Sequence, residues 1–208
     1  MYPKPIRKLV ELFSQFPGIG PRQAARFVFF LLKENGMALN LTAALEELEG
    51  KVKFCQQCFR TVETETIGAT LCGICRNPKR DGTQIAVVEK ESDLHNLEKT
   101  GAYQGHYHVL SGLISPLDED SSRPLHLAEL RERVKIILGK GGRCELILAT
   151  NPTTEGDTTA LYIERVLDPL KKNFAGLVIS RLGRGLSLGS ELEYADEITL
   201  KNALINRK

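Results

Sequence analysis

Four cysteines in two pairs carry the strongest chemical signal in the sequence. Cys55 and Cys58 form one Cys-x2-Cys pair, Cys72 and Cys75 form another, and thirteen residues separate the pairs. Each pair places two sulfurs on one tight turn, and two such turns supply the tetrahedral all-sulfur set that zinc prefers. This separation is slightly shorter than in most zinc ribbons, but it is similar to the separations found in zinc sites. The sequence therefore predicts one structural zinc ion per chain.

Two alternatives use the same four residues. A pair of disulfides would need an oxidising compartment, whereas the sequence shows no secretory signal segment and is expected in the reducing cytoplasm. An iron site with four thiolates has the same ligand set and stays open. Either metal would have no free coordination position, so the site is expected to shape the chain and to perform no chemistry.

A second group of candidate residues is basic and precedes the cysteines. Lys8, Arg22 and Arg26 flank a Pro-Gly-Ile-Gly-Pro segment that contains Gly18 and Gly20. Apolar residues at helical spacing lie on both sides of this segment, so the pattern predicts a helix, a tight hairpin and a second helix. The glycines permit a sharp turn that lets a phosphate approach the amides at the start of the second helix. These five residues are the predicted DNA contacts, made to the backbone rather than to bases.

The distribution of charge favours the same half of the chain. Residues 1–80 hold twelve Lys or Arg against seven Asp or Glu, a net charge of +5, whereas the remaining residues carry −3. We therefore expect the basic half to face nucleic acid. The alternative is that the hairpin is only a tight turn in a helical bundle and that its arginines form a solvated face. The longest apolar run, residues 27–32, is too short to cross a bilayer, so no membrane partner is expected.

The elements that position these residues change character after the cysteines. A further amphipathic helix is predicted to begin near Asn40 or Thr42 and to end at Gly50. Beyond residue 80, buried-strand patterns alternate with helical ones, which predicts a mostly parallel sheet with helices on its faces. The predicted strands are 85–88, 107–110, 146–149 and 177–179, and the predicted helices begin near Ser92, Leu125 and Asp157, the last closed by Pro169. Cys144 is expected to be a buried small apolar residue.

Together these patterns predict a multi-domain α+β protein. Its parts are a helix-hairpin-helix domain over residues 1–51, a four-cysteine knuckle over 52–80, an α/β domain over 81–172 and a tail over 173–208. The polar, turn-rich residues 76–82 mark the start of the α/β domain.

Polar residues follow the first and third predicted strands, at the sheet edge where α/β proteins carry their function. Glu89 ends the first strand, and Asn151, Thr153, Glu155 and Asp157 follow the third. These segments resemble the Toprim domain of topoisomerases, primases and some nucleases, whose acids hold magnesium. Here Glu89 is kept, but the two metal-binding aspartates align with Asn151 and Thr153. Because magnesium relies on carboxylates, we do not expect phosphoryl-transfer chemistry; a magnesium-dependent Toprim nuclease or topoisomerase-like enzyme is the alternative.

Over essentially its full length the sequence is similar to the RecR family of bacterial recombination mediators. The hairpin, the four-cysteine knuckle, the Toprim domain and the tail segments 180–185 and 191–197 occur in that family's order. The resemblance implies a protein without catalytic turnover that forms a ring-shaped tetramer around single- or double-stranded DNA. The implied partners are RecO and RecF, with which it would help RecA replace single-strand-binding protein at gaps.

The resemblance also assigns roles to particular residues. It implies that the Toprim acids Glu89, Glu155 and Asp157 form a docking surface for the basic RecO, and that the tail contributes to subunit contacts. It further implies a bacterial cytoplasmic protein associated with the nucleoid. The third possibility from the residues alone is a zinc-stabilised adaptor that never touches DNA.

Overall fold

A computed structural model of the chain describes residues 2–63, 71–114 and 125–207. These residues divide into two compact units. The first holds residues 2–53 and Glu63, and the second holds residues 54–62, 71–114 and 125–207. None of the described helices is both long and apolar enough to cross a membrane.

The first unit is helical and confirms the predicted helix-hairpin-helix. It contains α1 (Lys4–Phe13), α2 (Pro21–Lys33) and α3 (Met37–Lys51). Pro21 opens α2, where its fixed φ suits a helix start and its missing N–H costs nothing. The rings of Phe13 and Phe27 meet edge to face with centroids 6.0 Å apart, and Ala24 and Val28 are fully buried. The hairpin is therefore held by a small apolar core between α1 and α2.

The predicted start of the third helix was wrong. α3 begins at Met37 rather than near Asn40 or Thr42, and it follows Gly36, whose φ of 81° is readily available only to glycine. The Thr42 hydroxyl donates to the Ala38 carbonyl at 3.0 Å instead of capping the helix. The helix starts earlier because a left-handed glycine lets the chain reverse without a side-chain cap.

The second unit is built on four parallel strands, as predicted. They are β3 (Asp81–Val88), β4 (Gly105–Val109), β5 (Cys144–Ala149) and β6 (Leu177–Arg181), in the order β4-β3-β5-β6. The crossover helices are α5 (Glu91–Lys99), α6 (Leu127–Gly139) and α7 (Thr154–Asn173). Val88 lies opposite both Val109 and Ala149, so the carboxyl ends of three strands lie side by side.

The core follows from the alternation of side chains along β3. Ile85 and Val87 belong to one buried cluster with residues of α6 and α7, whereas Ala86 and Val88 belong to another with Leu94 of α5. Because both faces of the sheet are covered, its strands read as continuous apolar runs. Cys144 is fully buried in the first cluster, and burial raises the pKa of its thiol to about 11. The prediction that Cys144 is a packing residue is confirmed.

The end of α7 also differs from expectation. The helix continues past Pro169 to Asn173, whereas the sequence predicted that Pro169 closes it. Pro169 lies on the exposed side of the helix, so the carbonyl that loses its partner one turn earlier can bond to water. The flanking Leu167 and Leu170 remain buried and hold the helix on the sheet.

The tail follows the sheet directly. β6 pairs with β5, although the sequence placed residues 173–208 in a separate C-terminal region. A short 3-10 turn (Leu192–Tyr194) and α8 (Glu197–Ile205) complete the chain. The Asp196 carboxylate caps α8 by accepting from the Thr199 amide at 2.9 Å. The boundary between 172 and 173 stays a prediction.

The four cysteines of the knuckle lie in the second unit. Two short strands, β1 (Val52–Phe54) and β2 (Thr61–Glu63), form a two-stranded sheet, and α4 (Gly73–Arg76) carries the last cysteine. The Val109 amide donates to the Cys58 carbonyl at 2.9 Å. The Thr61 amide and hydroxyl both donate to the Glu91 carboxylate, at 2.9 and 2.7 Å. These bonds fix the knuckle against the end of β4 and the start of α5.

Candidate metal centre, nucleic-acid interface and acidic edge

The four predicted cysteines come together in space. Their sulfurs all lie within 4.8 Å of one another, and the Sγ atoms of Cys58 and Cys72 are 3.6 Å apart. All are free thiols, and that separation is far longer than a disulfide bond. A tetrahedral zinc site with bonds of about 2.3 Å places its sulfurs about 3.8 Å apart. The donor set therefore fits a four-coordinate metal ion.

Local backbone geometry aims the sulfurs inward. The Phe59 amide donates to the Cys55 carbonyl at 2.9 Å, which closes the first turn, and Phe59 itself adopts a left-handed φ of 63°. In the second turn the Cys72 sulfur accepts from the Cys75 amide at 3.3 Å, as an N-cap side chain does. A further amide, that of Cys72, donates to the Cys55 sulfur at 3.3 Å. Hydrogen bonds donated by backbone amides to sulfur stabilise the thiolate relative to the thiol.

Electrostatics also favour a bound cation. The sulfurs are buried apart from Cys75, which is partly exposed. Hydrogen bonding with Cys58 lowers the pKa of Cys55, whereas hydrogen bonding with Cys55 raises the pKa of Cys58 and of Cys75. Four thiolates cannot coexist at this distance without a positive ion between them. Among the described residues, this is the one cluster of three or more His, Cys, Asp or Glu side chains placed to hold a metal ion.

The hairpin glycines occupy the positions that the turn requires. Gly18 has a φ of 77°, a left-handed conformation, and the Ile19 amide donates to the Phe16 carbonyl at 3.0 Å. Gly20 is the N-cap residue of α2, and because glycine has no side chain, no side-chain hydrogen bond caps this helix. The first turn of α2 also contains no acidic residue. Its free amides and the positive end of its dipole are therefore available to an anion.

The predicted basic contacts are exposed on this unit. Lys8 lies on α1, and Arg22 and Arg26 lie one turn apart on α2. Within the described residues none of the three forms an ion pair with a carboxylate. Arg26 donates only to the side-chain oxygen of Gln23, a neutral partner, at 3.3 Å. The positive charge of this surface is not cancelled locally.

The acids of the sheet edge have different surroundings. Glu89 follows β3 and Asn151 follows β5, and the Asn151 side-chain amide donates to the Glu89 carboxylate at 2.6 Å. An aspartate at position 151 would place a second negative charge there and favour a shared cation. The amide satisfies Glu89 with a hydrogen bond instead. Two neighbouring strands thus bring together the residues that the Toprim resemblance selected, in a hydrogen-bonded pair.

Asp157 is held by arginines from the end of the sheet. Its carboxylate pairs with Arg181 at 3.2 Å and with Arg184, and Arg181 also pairs with Glu164 at 2.9 Å. The hydrogen bond from the Arg184 guanidinium lowers the pKa of Asp157. Asp157 is therefore a neutralised acid, and it fastens the segment after β6 to the first turn of α7.

Glu155 is the exposed acid of the group. It lies in the first turn of α7, where Thr153 caps the helix by accepting from the Gly156 amide at 3.1 Å. A Cβ on Gly156 would collide with the Asn151 carbonyl oxygen, so only glycine fits there. Sequence reasoning missed Gly156. Its place three residues after the aligned Thr153 could have signalled the close approach.

Sequence reasoning also missed Arg133, Arg181 and Arg184 as interacting residues. Arg181 and Arg184 lie in the tail segment 180–185, but their partner Asp157 is 24 and 27 residues away in sequence, respectively. Arg133 sits in an ordinary helical pattern on α6, and no local signal distinguishes it from the exposed Arg131. Both sets depend on long-range contacts.

Comparison with known proteins gives a consistent result along the chain. The family model described as RecR, helix-hairpin-helix matches residues 6–48, the Toprim domain model matches 83–182, and the model described as RecR, C-terminal matches 185–208. A Recombination protein RecR from Dehalococcoides mccartyi is 40% identical over 204 residues, covering 98% of this chain and 93% of that protein. Proteins of the same name from Cutibacterium acnes and Prochlorococcus marinus are each 42% identical, covering 100% and 99% of this chain and 96% of each relative.

Proposed function

Because the chain belongs to the RecR family of recombination proteins, we propose that it is a non-catalytic, DNA-binding recombination mediator. It assembles as a ring-shaped clamp, a tetramer, around single- or double-stranded DNA. With RecO and RecF it loads RecA onto DNA coated with single-strand-binding protein during gap repair. The observation that carries the DNA-binding part is the uncancelled positive charge at the hairpin.

The hairpin supports DNA binding through phosphate contacts. Lys8, Arg22 and Arg26 are exposed and lack a carboxylate partner among the described residues. Gly18 and Gly20 shape a turn that brings a phosphate to the amides of α2. Such contacts recognise the backbone and carry no base information. The proposed binding is therefore independent of sequence and strongly dependent on salt.

The absence of turnover rests on the acids at the sheet edge. Glu89 is satisfied by the Asn151 amide, and Asp157 is neutralised by Arg181 and Arg184. Magnesium needs carboxylate oxygens in near-octahedral geometry. Glu89 and Asp157 are poor ligands for it, because both carboxylates already bond to protein side chains. The competing hypothesis is a magnesium-dependent Toprim nuclease or topoisomerase-like enzyme.

The metal we propose is a single structural zinc ion. Zinc binds four thiolates in a closed tetrahedral site, and the separations at Cys55, Cys58, Cys72 and Cys75 fit that geometry. When bound, the ion supplies folding free energy and no reactive position. Metal content measured on protein purified without chelator distinguishes zinc from iron.

Partner surfaces follow from exposure. Of the three acids, Glu155 is the exposed one, whereas Glu89 accepts a hydrogen bond from Asn151 and Asp157 pairs with arginines, so Glu155 is the leading residue in the proposed contact with basic RecO. Self-association is supported by apolar side chains that nothing covers within either unit. On the first unit these are Phe30, Leu32, Leu39, Leu45 and Leu48, and on the tail Ile198, Leu204 and Ile205. Exposed apolar surface of this extent marks protein contacts.

Salt titration of DNA affinity tests the proposal. Replacing Arg22 and Arg26 by Ala should weaken binding and reduce the slope of log affinity against log salt by about 2. The matched control replaces the exposed Arg131 and Arg165 by Ala and should leave the slope unchanged. An unaltered slope in the hairpin variant would remove the hairpin from the interface.

A nuclease assay tests the absence of turnover. Labelled DNA incubated with the protein and magnesium should remain intact and unrelaxed. Cleavage that disappears in Glu89→Ala would establish the enzyme instead.

A further inference from the structure

One arginine of the second unit lies in the protein interior. Arg133 on α6 is 9% exposed. Its Nη1 donates to the Tyr107 carbonyl at 2.7 Å and to the Gln57 carbonyl at 3.0 Å. Its Nε and Nη2 atoms are buried and have no hydrogen-bond partner. The guanidinium thus bridges the sheet and the knuckle while two of its nitrogens remain unsatisfied.

A buried cation requires a negative charge nearby, because desolvation strongly disfavours an isolated ion. Within the described ranges no Asp or Glu forms an ion pair with Arg133. Its two partners are neutral carbonyls. The compensating charge must therefore come from another kind of group.

A bound anion does not explain the arrangement. Arg133 and His106 contribute to the lining of a cavity of about 740 Å³ whose other walls include Phe59, Ile136 and Ile137. The unpartnered nitrogens of Arg133, however, have essentially no exposed surface. A ligand in this cavity could not reach them.

The cysteine site supplies negative charge at the right place. Gln57 lies between Cys55 and Cys58, so the hydrogen bond to its carbonyl holds the guanidinium against the first turn of the knuckle. Four thiolates around a divalent ion carry a net charge of −2, and that charge is itself largely buried.

We propose that Arg133 is the internal counter-cation of the four-cysteine metal site, and that metal occupancy holds the knuckle on the sheet. The inference rests on the proposed structural metal. Two further contacts would depend on the same docking. The Cys58 carbonyl accepts from the Val109 amide at 2.9 Å, and the Phe59 ring stacks on His126 with centroids 3.8 Å apart. Arg133 is a positioning residue, since it bonds to the turn that carries the ligands and not to the metal.

Metal affinity tests the charge directly. Arg133→Gln keeps an amide donor and removes the charge, Arg133→Lys keeps the charge and removes the fork, and Arg131→Gln is the exposed control on the same helix. Cobalt(II) is titrated into each full-length protein, its thiolate charge-transfer absorption is recorded, and a chelator competes for the ion. We expect about a tenfold or greater loss of affinity in Arg133→Gln, largely restored in Arg133→Lys, with Arg131→Gln unchanged.

The outcomes separate this inference from the proposed metal site. If the parent protein shows no thiolate absorption with cobalt, the metal site itself fails. If the parent binds cobalt and Arg133→Gln binds it equally well, the counter-cation role is wrong although the metal site stands. An equal loss in Arg133→Lys and Arg133→Gln also overturns it, because charge would then not be the cause.

A second measurement needs no variant and applies even if Arg133→Gln fails to fold. Hydrogen exchange is followed by mass spectrometry on the parent protein before and after the metal is removed by chelation. Loss of protection should extend beyond the knuckle to β4 and to α6, where Arg133 lies. Protection of both elements that persists after complete metal loss would show that the site is not coupled to the sheet.

Discussion

The hairpin arginines and the arginines at the end of the sheet have the same chemistry and opposite surroundings. Arg22 and Arg26 are exposed, and Arg26 has only a neutral partner, Gln23. Arg181 and Arg184 instead converge on Asp157. A guanidinium paired with a carboxylate has a net local charge near zero and attracts a polyanion weakly. An exposed guanidinium without a neighbouring carboxylate can exchange its counterions for phosphates. Partners rather than residue type therefore separate a binding surface from a structural clasp.

The second unit extends this comparison to the interior, because its cysteine cluster and two of its histidines, His106 and His108, are buried, whereas the hairpin charges are exposed. Buried charge has to be compensated within the fold, and its loss affects stability. Exposed charge has little effect on stability, and its loss affects binding. The predictions below test this division, beginning with the buried site.

Loss of a metal ligand should have the largest effect. Cys58→Ser removes a thiolate from a closed four-sulfur site, so we expect metal content to fall well below one ion per chain and the melting temperature to fall by about 10 °C or more. Metal analysis and calorimetry measure the two quantities. The matched control is Cys144→Ala, which alters the fifth cysteine in the core and should leave metal content unchanged. Full metal content in Cys58→Ser would contradict the ligand assignment.

Mild acid should destabilise the second unit through His108. Burial lowers the pKa of this histidine to about 3 in the folded protein, against about 6.5 in an unfolded chain. The unfolded chain therefore takes up a proton that the folded chain excludes, so this contribution is complete above pH 6.5 and is lost as the pH falls towards 3. Between pH 7 and pH 5 the free energy of unfolding should decrease by about 2 kcal/mol for this group.

Denaturant unfolding at both pH values, with metal content followed in the same samples, measures this change. His108→Asn should flatten the pH dependence, and the exposed His95→Asn should retain it. A His108 ring that is protonated at pH 6 in a histidine-selective NMR titration would rule out this account.

A carboxylate placed beside Arg26 should form an ion pair with it and reduce the positive charge that the hairpin offers to DNA. In Gln23→Glu the side-chain oxygen that accepts from Arg26 at 3.3 Å becomes charged. Pairing should weaken DNA binding about tenfold at low salt and reduce the salt slope by about 1. Because Glu is favoured in the first turn of a helix, the melting temperature should not fall, which separates this effect from unfolding. Undiminished affinity in Gln23→Glu would mean that Arg26 makes no phosphate contact.

The reverse change at the sheet edge should have the smallest effect. Asp157→Asn removes the carboxylate that neutralises Arg184, while Arg181 keeps Glu164. Nonspecific DNA binding should increase about two- to threefold, because one cation becomes available. The control Glu193→Gln changes net charge equally, at an exposed acid of the tail without an ion pair among the described residues. An equal increase in both variants would indicate a net-charge effect and not a released arginine.

Local pattern was sufficient to predict most of the helices and strands and the cluster of four cysteines. The Cys-x2-Cys pairs, the Gly-Ile-Gly hairpin and the apolar runs of the strands each require only neighbours in sequence. The errors arose where local rules were insufficient. Pro169 does not end α7 because Leu167 and Leu170 still pack on the sheet beyond it. Gly36, and not a polar cap, sets the start of α3.

The sequence by itself determined the class of each charged or sulfur-bearing group, since those groups are defined by side-chain chemistry and short spacing. Only the tertiary structure decided which charges remain available. Asp157 meets Arg184 from 27 residues away, Asn151 meets Glu89 from 62, and Arg133 meets the knuckle at Gln57 from 76. Such pairs form because parallel strands bring their carboxyl ends to one edge and because a helix packs against a distant turn. Sequence spacing does not encode those distances.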